Sequence, residues 1–334
     1  MNIKIQTTIC AIALVLSIGG EASVQQMIVI SKEGQVYITL PSGKETPRGM
    51  MNLKNQFQID GNCGIAYSSL DASGEKMGIQ YFCRLSNDDC SKTQMGFYRI
   101  IIYDMNSKRE MLIFDHGYMF KFSPDGKRVV IDVDWPFWRD DGCIPPQGID
   151  EIAGTWVIDI QSGKKEKIDT LGVGVQYLNW SEHDGNIYFY NNSQIFKYDP
   201  VRRKGEIVDL PGFIFSPDGK YIIGKGDPVL IYRASDNQPV KEWNDNIRNT
   251  YGRFYFESWA LNGGAVLLGT YKPNSQHNIV FDLKEGRVIQ EFDGFVKGGD
   301  AAGTRFLVSP IEINKGRVSI KKDSYDIIEV HSSD

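Results

Sequence analysis

The hexapeptide Phe122-Ser-Pro-Asp-Gly-Lys127 recurs unchanged as Phe215-Ser-Pro-Asp-Gly-Lys220, each time followed by a run of β-branched or aromatic residues. Such a segment forms a tight turn for definite reasons. Pro presets φ at the first corner, Asp bonds backbone amides locally, and Gly takes the left-handed position. A tight turn between two extended runs is a hairpin, and hairpins recurring along a chain indicate a repeat fold. Degenerate copies stand at Asp60-Gly61 before Ile65, Asp184-Gly185 before Ile187, Asn262-Gly263-Gly264 before Ala265, and Ala302-Gly303 before Thr304.

A second signature follows most copies: Ile100-Ile-Ile-Tyr-Asp104, Trp156-Val-Ile-Asp159, Ile195-Phe-Lys-Tyr-Asp199 and Ile279-Val-Phe-Asp282, with Leu230-Ile-Tyr-Arg233 as a variant. Each leads into another polar turn. The unit is therefore strand, Asp-Gly turn, strand, strand, turn, strand, which is one blade of a β-propeller. A blade has two apolar faces and cannot bury both alone, so neighbours must stack and the ring must close. The predicted class is all-β. Met27–Arg48 contributes two strands, as a blade lacking its first, and the C-terminal segment ends in Asp326-Ile-Ile-Glu-Val330. Second strands near 28, 65, 129, 187, 221, 266 and 306 favour seven blades of roughly 44 residues, within the usual ~40–45, with six blades of about 52 as the alternative.

The Phe-Ser-Pro-Asp-Gly-Lys turn followed by an apolar strand resembles the TolB-type, WD-like propeller repeat, which also occurs in relatives of prolyl oligopeptidase. The resemblance covers roughly 27–330 and implies a fold, not an activity. The resemblance is to the repeats and not to the α/β domain of TolB or the hydrolase domain of the peptidases, so a role in the Tol envelope system is not expected to carry over. No Gly-x-Ser-x-Gly nucleophile elbow occurs in the sequence.

Residues 1–22 read as a secretory leader. Lys4 supplies the positive charge, Ile9 to Ile18 form an apolar core too short to span a bilayer, and small residues flank a cleavage point after Ala22. The remaining residues, 23–334, are then a single propeller domain, expected to be secreted or periplasmic and monomeric. No later stretch is apolar enough for a membrane helix. Net charge is −5, and the one basic cluster is Arg202-Arg203-Lys204, which argues against a nucleic-acid partner. In an oxidising compartment Cys63, Cys83, Cys90 and Cys143 can pair. Cys83 and Cys90 bracket a short polar loop and form the expected disulfide, with pairing of Cys63 and Cys143 left open.

Two units are longer than the rest: turn-to-turn distance is 65 residues from Asp60 to Asp125 and 59 from Asp125 to Asp184, but 34 from there to Asp218. The surplus is placed between second and third strands, at about 69–97 and 134–153, so two insertions rise side by side on one face. The second holds the candidate binding residues Trp135, Phe137, Trp138, Arg139, Asp140 and Asp141. Rigid aromatics beside an arginine dominate protein-recognition hot spots, and Trp faces also stack on sugars. The alternative is that these rings cap the end of the propeller core. Asp132, Asp134, Asp140 and Asp141 are candidate calcium ligands by type, but their spacing fits no EF-hand loop. Neither a metal nor any other cofactor is expected, and His116, His183, His277 and His331 receive no role. The function read from the sequence is an exported non-catalytic binding module for a protein, with a glycan as second ligand. The rival is a hydrolase or lyase acting on extracellular polymer, which would gather three or more charged side chains in a deep pocket around a strongly perturbed group.

Overall fold

The computed structural model describes residues 28–30, 36–38, 50–52, 63–84, 96–133, 153–168, 175, 177–191, 194–224, 229–272, 275–300, 303–314, 317–320 and 326–331. The fold is a β-propeller of six blades, so the alternative count holds and the favoured count of seven does not. Blade 1 is β4 (Cys63–Leu70), β5 (Lys76–Arg84), β6 (Gly96–Asp104) and β7 (Glu110–Asp115). Blade 2 is β8 (Met119–Phe122), β9 (Arg128–Val133), β10 (Gly154–Asp159) and β11 (Lys165–Ile168). Blade 3 is β12 (Tyr177–Trp180), β13 (Ile187–Asn191), β14 (Gln194–Asp199) and β15 (Lys204–Val208). Blade 5 is β19 (Phe254–Ala260), β20 (Ala265–Lys272), β21 (Ser275–Asp282) and β22 (Arg287–Asp293). Each of these is an antiparallel meander in sequence order.

Two blades depart from that plan. Blade 4 has three strands, β16 (Gly212–Phe215), β17 (Tyr221–Gly224) and β18 (Ile231–Arg233), and then a helix, α1 (Lys241–Tyr251), where a fourth strand was expected. Asn244 of α1 is buried and completes the open edge of β18. Its Oδ1 accepts from Ile231 N and its Nδ2 donates to Ile231 O, both at 2.9 Å. The helix packs Ile247, Trp243 and Tyr251 onto blades 4 and 5, with the Trp243 ring 5.0 Å from Tyr221 and 5.4 Å from Phe281. Blade 6 is β23 (Phe295–Gly299), β24 (Arg305–Ser309) and β27 (Asp326–Glu329), with a separate hairpin, β25 (Ile311–Asn314) and β26 (Arg317–Ile320), between the last two.

The N-terminal copy accounts for the miscount. β1 (Ile28–Ile30), β2 (Val36–Ile38) and β3 (Met50–Asn52) form a small sheet whose β2–β3 pair is parallel, unlike any blade. It lies with β1 beside β23, β24 and β4, between the last blade and the first. A second misreading falls in blade 1. The strand at 65 is first, not second, and the turn is Asp71-Ala-Ser-Gly-Glu75, not Asp60-Gly61. Much of the surplus assigned to an insertion at 69–97 is instead strand, since β5 and β6 each run nine residues.

First strands of neighbouring blades approach one another, as β8 and β12 do, so first strands lie nearest the axis. The core sits between blades. Ile100, Ile102 and Phe114 of blade 1 pack on Phe120, Phe122, Val129 and Ile131 of blade 2, and Val130 and Val157 of blade 2 pack on Leu178, Phe189 and Phe196 of blade 3.

The repeated turns hold themselves as their residue types require. Ser123 Oγ donates to Asp125 Oδ1 at 2.6 Å and accepts from Arg128 N, while Lys127 N donates to Asp125 Oδ1. Ser216, Asp218, Lys220 and Tyr221 repeat the set at 2.7, 3.1 and 3.0 Å. Partial burial pushes the Asp125 carboxyl up, but these hydrogen bonds win and hold it below the usual carboxylate range. The glycines have a further reason. Gly126 at φ +64 abuts the blade 1 turn, where a Cβ would stand 2.3 Å from Asp71 Oδ2, and one at Gly219 would overlap the His183 ring of the blade 3 turn. On this face each of these turns leans on its predecessor.

Cys83 is bonded to Cys63 rather than to Cys90. The two residues stand directly opposite across the β4–β5 pair, a relation set by strand register and not by loop length. No helix among the described residues is long and apolar enough to cross a membrane.

Candidate functional site

The channel wall is made by the first strands, and four of them carry a β-bulge where they pair with the second strand. The extra residues are Ala66 on β4, Phe213 on β16, Glu257 on β19 and Lys297 on β23. A bulged residue has no ladder partner and is re-aimed relative to its neighbours, which is why bulges gather near functional sites. In blades 5 and 6, which are adjacent, the bulges present a carboxyl and an ammonium.

Glu257 is held by Gln276 of β21, whose Nε2 donates to Glu257 Oε1 at 2.9 Å and also to the Tyr255 hydroxyl. Burial pushes the Glu257 carboxyl up to about 7, against the hydrogen bonds of Tyr255 and Gln276 and the charge of Lys297. Burial likewise lowers the Lys297 ammonium, with the Glu257 charge opposing. The Lys297 Nζ lies 5.5 Å from the Phe295 ring centroid, and among the described residues no carboxylate oxygen comes within 4.0 Å of it. A carboxyl poised near neutrality exchanges protons readily at physiological pH. Among the described residues, Lys297 is the charged group that acts on the Glu257 carboxyl.

Aromatic rings gather at the rim of the channel from which the loops between second and third strands emerge. Tyr190 stacks on Phe213 at 5.5 Å and 11°, bridging blades 3 and 4, and Tyr177 stands 5.9 Å from Tyr190. Asn179 Nδ2 ties the same blades by donating to Phe213 O at 3.0 Å. Blades 1 and 2 contribute Phe82, Tyr98 and Tyr118 in a chain of contacts at 5.3 and 5.5 Å. All six rings are partly exposed. Tyr190 neighbours the Asn191–Gln194 end pair, and Phe82 and Tyr98 lie opposite each other near the end of β5, which identifies this rim.

The predicted binding residues Trp135, Phe137, Trp138, Arg139, Asp140 and Asp141 lie outside the described residues, as do Cys90, Cys143 and the leader. The segment that carries them leaves β9 after Val133 and returns at Gly154, and those two residues pair, so its ends are pinned to this rim. Asp132, one of the four aspartates of calcium-ligand type, is buried in β9 and accepts from the Thr155 hydroxyl at 2.6 Å. No group of three or more metal-ligating side chains occurs among the described residues.

Two other polar places have structural explanations. On the opposite face a cleft of about 700 Å³ between blades 2 and 3 is lined by Asp125, Arg128, Trp180, Asp184, Lys197 and Glu206. Several of its charged groups are engaged: Lys197 reaches Asp184 at 3.9 Å, Arg202 reaches Asp199 at 3.7 Å, and Arg128 lies over Trp180 at 5.2 Å. Asp184 also holds its own turn through Asn186 and Tyr188. His277, which received no role from the sequence, sits between Asp293 at 2.7 Å and Glu291 at 2.9 Å. Tyr251, the last residue of α1, stacks on its ring and donates to Glu291, so this network docks the helix onto blade 5.

The sequence matches no family model and no curated protein. Among solved structures, it is similar to the β-propeller domain of the Trilobed protease from Pyrococcus furiosus, at 15% identity over 82% of this chain and 85% of that one, with a TM-score of 0.51. It is similar also to Kuenenia stuttgartiensis hydrazine synthase, at 13% identity over 95% and 99% of the two chains and a TM-score of 0.50. TolB from Acinetobacter baumannii aligns at 13% identity and a TM-score of 0.46, over 80% of this chain and 63% of that one. The chain thus spans about 63% of the TolB chain. At these identities the first two likenesses establish the propeller fold alone.

Proposed function

We propose that the protein is an exported, non-catalytic propeller module that binds a protein partner through the rim bearing the loops between second and third strands. The observation that carries this reading is the collection of partly exposed rings there, Tyr98, Tyr118, Tyr177, Tyr190 and Phe213 among them, from four blades. The segment with Trp135, Phe137, Trp138, Arg139, Asp140 and Asp141 is rooted beside them. Aromatic side chains of this kind supply large contact area at low entropic cost. The leader-like N-terminus and the Cys63–Cys83 disulfide fit an oxidising compartment, periplasmic or extracellular.

The test is recovery of partners from envelope or culture-medium extracts with tagged full-length protein. Tyr190→Ala with Phe213→Ala, and separately Trp135→Ala with Trp138→Ala, should lose partners that the wild type retains. Lys197→Ala with Arg202→Ala, on the opposite face, should not. Unchanged recovery by both ring variants, with native circular dichroism, removes this rim from consideration. The glycan reading is favoured instead if recovery of protein is unaffected while retention on a polysaccharide column falls.

A further inference from the structure

We propose that Lys297 and Glu257 form a proton-linked anchor in the channel for a single carboxylate group of the ligand, an inference that rests on reading this rim as the binding face. Two separate bulges, on the first strands of adjacent blades, carry these groups, near enough for the Lys297 charge to act on Glu257, and neither is needed to complete a ladder hydrogen bond. An ammonium held in a partly desolvated place is stabilised by a close counter-anion. Lys297 has no carboxylate within 4.0 Å among the described residues and rests instead near the Phe295 ring. Gln276 Nε2, which donates to Glu257 and Tyr255, is a second donor at the Glu257 carboxyl.

Charge decides the ligand class. The site holds one cation and one carboxyl that can become neutral, so its positive form supports one negative charge. A carboxylate meets that condition, whereas a phosphate dianion leaves a charge uncompensated. Binding is balanced by proton uptake: the ligand's carboxylate takes Lys297 as its counter-ion, and Glu257 accepts one proton from solvent. No covalent bond changes. Among the described residues, the charged and titratable groups acting on Glu257 are Lys297 and Tyr255, from blades 6 and 5. With the Glu257 carboxyl near 7, its protonated fraction falls about tenfold between pH 6 and pH 8, and carboxylate affinity falls with it.

Acetate is the probe, titrated into the full chain at constant ionic strength against chloride and followed by ligand-observed NMR. Wild-type affinity is expected to weaken about tenfold from pH 6 to pH 8. Lys297→Met should abolish the acetate response, and Glu257→Gln should bind with an affinity that no longer varies over that range. Acetate binding that survives Lys297→Met, a pH dependence that survives Glu257→Gln, or no wild-type response beyond chloride overturns the proposal. So does inorganic phosphate binding at pH 8 as tightly as acetate. The ring variants leave Glu257 and Lys297 intact. Ring-dependent partner recovery without acetate binding therefore removes the anchor alone, and acetate binding without ring-dependent recovery removes the rim reading on which it rests.

Discussion

Replacing Gly126 by Ala should destabilise the propeller far more than the same change at Gly185, although both occupy the same position in equivalent turns. Gly126 has φ +64 and Gly185 has φ +69, so the left-handed backbone penalises an added Cβ equally, by about 1 kcal/mol. The surroundings differ. A Cβ on residue 126 would lie 2.3 Å from Asp71 Oδ2, while one on residue 185 meets nothing within 4 Å. Asp71 is only 1% exposed and cannot simply swing away. Its Oδ2 accepts from Ser73 Oγ at 2.8 Å and its Oδ1 from Lys76 N at 3.0 Å. Displacing it forfeits hydrogen bonds to a buried carboxylate, at about 1.5–3 kcal/mol. Gly126→Ala should therefore cost ~2.5–4 kcal/mol and Gly185→Ala ~1 kcal/mol. Urea denaturation followed by tryptophan fluorescence measures both. In an Asp71→Ala background the cost of Gly126→Ala should drop to the backbone component alone. Equal destabilisation by the two glycine substitutions, or an undiminished cost without Asp71, refutes the view that neighbouring turns interlock.

Other outcomes follow from the same structure. Glu257 has a folded-state value of about 7 against an ordinary 4.5, so its contribution to stability is greatest below the ordinary value and is lost as pH rises through 7. At about 1.4 kcal/mol per unit this sets an upper bound of ~3.5 kcal/mol, reduced by the residue's partial exposure. The urea midpoint of Glu257→Gln should gain on wild type between pH 5 and pH 8, and parallel pH profiles would contradict this. Asn244→Ala strands the buried Ile231 N–H and should cost ~1–3 kcal/mol by thermal or chemical unfolding. Non-reducing peptide mapping should recover a Cys63–Cys83 peptide, and a Cys83–Cys90 peptide in its place would refute the register of β4 and β5. Opening that cross-link, across a separation of 20 residues, should cost about 3 kcal/mol.

The turns were legible because Ser, Pro, Asp and Gly each act locally. Phe122–Lys127 and Phe215–Lys220 fold as their own side chains dictate, and the strands that follow them fall where the repeat puts them. The blade 1 turn was missed because Asp71-Ala-Ser-Gly-Glu75 lacks the Pro, and Asp60-Gly61 offered a stronger local signal nearby. The N-terminal copy was counted as a blade because its strands look alike in sequence, whereas the parallel β2–β3 pairing depends on chain path. Helix α1 left a trace in Val240, Trp243, Ile247 and Tyr251, spaced at three and four residues, but the propeller period outweighed it. Cys63 and Cys83 meet through strand register, which spacing does not reveal. Glu257 and Lys297 were invisible for a deeper reason: they are 40 positions apart, and only two bulges on adjoining blades bring them into electrostatic contact.

The helix that finishes blade 4 has a consequence for how the rim of the disc is used. An unfinished sheet margin ordinarily invites a visiting strand, which zips on through main-chain groups whatever its side chains. Here Asn244 occupies the outward N–H and carbonyl of Ile231, and Trp243 and Tyr251 shut the flank. One sector of the circumference is thereby closed to strand addition, and anything that approaches the disc sideways must settle elsewhere.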